Sequence, residues 1–125
     1  MGRATGIEAR ITKGMLNTGT GTRPDIKPGG FRSFRGYARG HVLAKLLGGS
    51  GTDRRNLVTI IQNPVNTPNM RSIEFRVRNA GISGEIVNYE VTPIYDGDNL
   101  IPRGITIKAT GDKGFSIFET ILNKK

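Results

Sequence analysis

The run Arg39-Gly40-His41-Val42-Leu43-Ala44 leads through Leu47-Gly48-Gly49-Ser50-Gly51 into Asn56-Leu57-Val58-Thr59-Ile60. On an extended strand, successive side chains alternate between faces. Arg39 and His41 therefore share one face, and Gly40 leaves the other bare for close packing or a bend. His41 is the single histidine of the chain, and an arginine beside a neutral imidazole suits phosphodiester chemistry. An exposed edge strand would show the same spacing, so the weight of this pair depends on the residues downstream of it. The glycine-rich loop lacks the Gly-Lys-Ser/Thr ending of a phosphate-binding loop, and no helix pattern succeeds it. Residues 56–62 are β-rich and nearly continuously apolar, as in a buried strand.

Beyond that strand the period changes. Thr67-Pro68 reads as an N-cap followed by proline at the first helical position. Met70, Ile73, Val77 and Ala80 recur at helical spacing, and Gly81 stands where a C-terminal cap belongs. The pattern predicts a helix from Pro68 to about Ala80. Residues 85–95, 100–110 and 115–122 then read as strands, separated by Asp96-Gly97-Asp98-Asn99 and Gly111-Asp112-Lys113-Gly114. The last third is thus an expected antiparallel β-meander, with Val87, Tyr89 and Val91 on one face, Ile105 and Ile107 alternating with Thr106 and Lys108, and Tyr89 and Ile107 in the core.

Upstream, residues 1–36 are dense in breakers and are expected to form a loosely ordered basic segment ahead of a domain spanning 37–125. Ile7-Glu8-Ala9-Arg10-Ile11 alternates enough for a short strand within it. At 125 residues the chain is one domain by length. Nineteen Lys and Arg against ten Asp and Glu give a net charge of +9, which makes nucleic acid the leading partner. Arginine's planar fork grips phosphate oxygens in pairs, so the run from Arg32 through Arg35 to Arg39 reads as a backbone-binding surface. With no cysteine and one histidine, disulfides and thiolate or zinc-finger metal sites are excluded. No apolar run approaches membrane-spanning length, and no signal-peptide h-region is visible.

The order Arg39-Gly40-His41, glycine-rich loop, Asn56, Gln62, Asn66, Glu74 resembles the DNA/RNA non-specific endonucleases of the ββα-metal (His-Me finger) superfamily, particularly their short bacterial toxin-domain versions. The resemblance covers about residues 35–110. It implies an α+β fold with a strand–loop–strand–helix site and the C-terminal meander. It also implies one Mg²⁺ (or Mn²⁺) and DNA as substrate, with RNA left open. By resemblance, His41 is the general base on the attacking water and Asn66 the metal ligand. Arg39 steadies the phosphate, and Glu74 reaches the metal's water shell. Arg78 matches a second phosphate-facing arginine, Arg35 of the basic run is a further candidate phosphate contact, and Asn56 and Gln62 lie where polar groups line or support the site. Asn63 competes with Asn66 for the metal. Where the family has Asp before the arginine, this chain has Ala38.

The chemistry agrees with those roles. An imidazole ordinarily titrates near ~6.5 and is a competent base at neutral pH. Mg²⁺ takes oxygen ligands and keeps several waters. A toxin role further implies secretion or delivery into a target bacterial cell. It also implies an immunity protein in the producer, acidic to complement the +9 charge. Two other readings stay open: a non-catalytic basic nucleic-acid-binding module, and an inactive family member. Glu74 and Arg78, four apart on the predicted helix, also fit a plain surface ion pair.

Overall fold

The structure, a computed structural model, describes residues 3–32 and 36–125. Its strands are β1 (Ile7–Ile11), β2 (Tyr37–His41), β3 (Leu57–Ile61), β4 (Val87–Ile94), β5 (Gly104–Gly111) and β6 (Ser116–Leu122), with one α-helix, α1 (Arg71–Ile82), between β3 and β4. The expected α+β class and C-terminal meander are both present. β4, β5 and β6 run antiparallel in sequence order, and β1 adds to the free side of β4 to complete a four-stranded sheet. β2 and β3 form a separate antiparallel pair in which His41 faces Leu57 and Arg39 faces Thr59.

Strict period-two alternation explains the larger sheet. Val87, Tyr89 and Val91 of β4 are buried with Ile105, Ile107 and Ala109 of β5, while Asn88, Glu90 and Lys108 face out. Met70, Ile73, Val77 and Ala80 join the same core with Val58 and Ile60 of β3. The predicted apolar positions of the helix are therefore all inside.

The helix boundaries differ from expectation. α1 begins at Arg71, and residues Gln62–Met70 form an irregular run broken by two extended residues, Asn63 and Thr67. Each precedes a proline, whose ring sterically keeps the preceding residue out of the α region. Thr67 does not cap the helix; its hydroxyl instead meets the Gln62 amide at 3.4 Å. Nor does Gly81 end the helix, since it lies inside and packs on Leu16. The stop is Gly84, at φ +99°. Its N–H bonds the Gly81 carbonyl and the Glu85 N–H reaches back to Ala80, the paired bonds of a left-handed helix terminus.

The segment expected to be loosely ordered contributes, among its described residues, both β1 and a series of loop contacts. Thr59 Oγ1 donates to the Gly29 carbonyl at 2.8 Å, and Arg54 Nε to that of Lys27 at 2.8 Å. At the other end of the chain Asn123 clasps β3, accepting from the Ile61 N–H and donating to the Thr59 carbonyl.

Asn56 is placed as the clasp of the loop between β2 and β3. Its Oδ1 accepts from the Leu43 N–H at 2.8 Å, and its Nδ2 donates to the Leu43 and Ser50 carbonyls at 3.0 and 2.8 Å. It is buried and does not line the cleft described below. The loop doubles back so tightly that a methyl group at Gly49 would run into the Leu43 carbonyl. Asn56→Ala leaves three backbone groups without their partner, and the expected loss is about 2–4 kcal/mol in urea denaturation. A loss below ~0.5 kcal/mol would show that water replaces the clasp at no penalty.

Candidate active site

The end of β2, the short turn after it, the irregular run and the first turns of α1 converge on one cleft of about 370 Å³. His41, Lys45, Asn66, Thr67, Arg71 and Glu74 line it, with Asn17 contributed by the N-terminal segment. The structure thus brings together His41, Asn66 and Glu74, which lie far apart in sequence.

His41 is fixed by a backbone group. Its Nε2 lies 2.9 Å from the Thr20 carbonyl oxygen. A carbonyl only accepts, so Nε2 carries the hydrogen and the lone pair of the neutral ring is on Nδ1. Thr20 is itself pinned on both sides. Its N–H donates to the Gly49 carbonyl at 3.0 Å, and its Oγ1 accepts from the Gly51 N–H at 2.9 Å. The glycine-rich loop and the 17–21 segment therefore hold the imidazole in one tautomer.

Asn66 is oriented in the same way. Its Nδ2 donates to Gln62 Oε1 at 3.1 Å, which leaves Asn66 Oδ1 as a free oxygen donor. Gln62 is thus a positioning group behind Asn66. Asn63 is exposed and does not line the cleft.

Burial pushes the Glu74 carboxyl up from 4.5 to about 8, partly offset by the positive charge of Arg71. Beneath it the Tyr89 hydroxyl is buried without a hydrogen-bond partner. Burial raises its pKa first and the Glu74 charge raises it further. A desolvated carboxyl and an oriented amide oxygen in one cleft are hard oxygen donors suited to a divalent cation. Among the described residues no three His, Cys, Asp or Glu gather as a metal cage. A cation held by Asn66 and Glu74 would therefore keep most of its shell as water, which is the habit of Mg²⁺. The residues present fit that ion.

Other expected residues lie elsewhere. Arg39 points into the N-terminal segment, with Nη2 at 3.3 Å from the Pro24 carbonyl and its guanidinium 4.4 Å from the Phe31 ring centre. Its Nε is buried without a partner, and Arg39 does not line the cleft. Arg35 lies outside the described residues. Arg78 is half-buried on α1, one turn beyond Glu74, and the two form no ion pair. Ala38 shares the face of Gly40 and packs against the hydrophobic core, an apolar setting in which a methyl group sits without penalty.

Lys45 and Arg71 went unforeseen. Both line the cleft, and neither forms an ion pair among the described residues. Arg71 stands three positions before Glu74, so helical spacing alone places it beside that carboxylate. The Thr20 carbonyl had no side-chain signal to find it by.

The β2–β3 pair, joined through an irregular turn to α1 around one cleft, has the architecture of the ββα-metal nuclease folds, as its match to solved nucleases shows. The solved structures agree on the fold. Magnesium-bound NucA from Streptococcus agalactiae superposes with a TM-score of 0.87 at 21% identity, over 98% of this chain and 68% of that one. The metal-free form of NucA gives 0.85 at 22%, over 98% and 66%. Sda1 nuclease with a bound zinc ion gives 0.82 at 22%, over 98% and 71%. This chain spans about two thirds of the length of these nucleases. Comparison with curated protein sequences gives no match. A sequence model of DNA/RNA non-specific endonucleases matches residues 1–113, and the chain belongs to that family.

Proposed function

We propose that this chain is a metal-dependent endonuclease that hydrolyses phosphodiester bonds of DNA, and of RNA as a second substrate, with little regard to sequence. The observation that carries the reading is the His41–Thr20 hydrogen bond in a cleft shared with Asn66 and Glu74. With Nε2 donating to Thr20, Nδ1 is the ring nitrogen left to act as base, in a cleft that also holds two oxygen donors. His41 Nδ1 takes a proton from a water molecule whose oxygen attacks phosphorus, the P–O3′ bond breaks, and the 3′-oxygen leaves with a proton from solvent. Asn66 and Glu74 would hold the Mg²⁺, which when bound would neutralise phosphate charge and help the leaving oxygen depart. Lys45 and Arg71 bind neighbouring phosphate oxygens. Because these contacts go to the backbone, discrimination between sequences is small. Magnesium in NucA and zinc in Sda1 support a metal site of this kind. Arg39 would have to leave its contacts with Pro24 and Phe31 to steady a phosphate in the cleft.

The +9 charge suits a bacterial toxin domain, secreted or delivered into a competitor and restrained in its producer by an acidic immunity protein. The deciding experiment uses supercoiled plasmid with Mg²⁺, with Mn²⁺ or with EDTA. The expected result is nicking and linearisation with either metal and none with EDTA. Retardation of the plasmid without cutting, whatever the metal, would replace this reading by that of a basic binding module.

A further inference from the structure

At 3.6 residues per turn, Arg71, Phe75, Arg78 and Ile82 fall on one narrow stripe of α1, on the flank away from the buried Ile73, Val77 and Ala80. This stripe begins inside the cleft, because Arg71 lines it. Phe75 is 38% exposed and Ile82 44%. The Arg71 guanidinium lies 4.8 Å from the centre of the Phe75 ring. Neither Arg71 nor Arg78 forms an ion pair among the described residues, and the stripe carries no carboxylate. An exposed aromatic ring between two arginines, continuous with the cleft, matches the chemistry of unpaired nucleic acid. Such a strand presents flat bases to stack and phosphates to neutralise, whereas a duplex hides its base faces.

We propose that Phe75 stacks one unpaired base adjacent to the scissile phosphate, with Arg71 and Arg78 gripping the phosphates on either side, so that the cleft favours single-stranded over duplex substrate. The proposal rests on the nuclease reading for the identity of the cleft but not for its test, because binding is measured without cutting. A short single strand carrying 2-aminopurine, and its duplex, are titrated with the full chain in EDTA. Wild type should quench the single-strand fluorescence. Phe75→Ala should weaken single-strand binding by roughly five- to a hundredfold, the range for losing one stacked base, and duplex binding by less than about twofold. Phe75→Trp should restore the quench, and circular dichroism checks that both variants fold. Unchanged single-strand affinity in Phe75→Ala, or equal losses on both probes, would overturn the proposal. A wild type that quenches the probe yet cuts nothing with Mg²⁺ would remove the nuclease reading and leave this one standing.

Discussion

Alanine in place of His41 slows plasmid cutting by about 10²- to 10⁴-fold, the usual contribution of a positioned general base. That corresponds to about 3–5 kcal/mol of transition-state stabilisation. The variant should still fold, because His41 is only half-buried and its one bond runs to a loop carbonyl. It should also bind DNA as wild type does in EDTA, because the cleft cations Lys45 and Arg71 remain. Loss of rate with retention of binding is the signature of an interaction made at the transition state. Added imidazole should restore part of the rate, since the alanine leaves room for it beside the Thr20 carbonyl. Cutting within threefold of wild type would mean that another group takes the proton.

The parts of this fold that were legible in the sequence are those governed by local periodicity. β4 and β5 alternate so regularly that their inner and outer faces were readable residue by residue, and the core face of α1 was readable for the same reason. The start of α1 was not, because a Thr-Pro pair has two readings. It opens a helix when threonine caps it, and it delays one when the residue before proline is held extended. The structure takes the second option at both Asn63 and Thr67. Arg39 misled for a different reason. Its position on the strand face was right, but its partners Pro24 and Phe31 come from a segment whose path no local pattern reveals. Asn56 was recognised as a polar residue in the right place, and only the doubled-back loop turns it into a clasp. The contact that fixes the His41 ring is a backbone carbonyl, and every residue has one. What marks Thr20 is its packing against the glycines at 49 and 51, visible only in three dimensions.

The metal-free protein should lose stability as pH rises, and Glu74 should account for it. Its folded value of about 8 lies above its ordinary 4.5, so the folded state holds the proton more tightly than the unfolded chain does. The stability this confers is complete below about pH 4.5, declines between there and pH 8, and is gone above. The full span is on the order of 5 kcal/mol, an upper figure because one edge of the carboxyl meets the solvent-filled cleft. Urea denaturation in EDTA at several pH values reads this directly, with Glu74→Gln as the reference that should lack the slope. A divalent cation beside the same carboxyl reverses the preference, because it binds the charged form and must displace the proton. Mg²⁺ affinity should therefore rise up to about tenfold per pH unit until pH 8 and level off above it, and Glu74→Gln should bind weakly at every pH. If wild type and Glu74→Gln show the same pH dependence of both stability and Mg²⁺ affinity, Glu74 is neither desolvated nor close to the ion. The acid of this cleft would then have no part in holding metal, and Asn66 would be left as its one side-chain oxygen ligand.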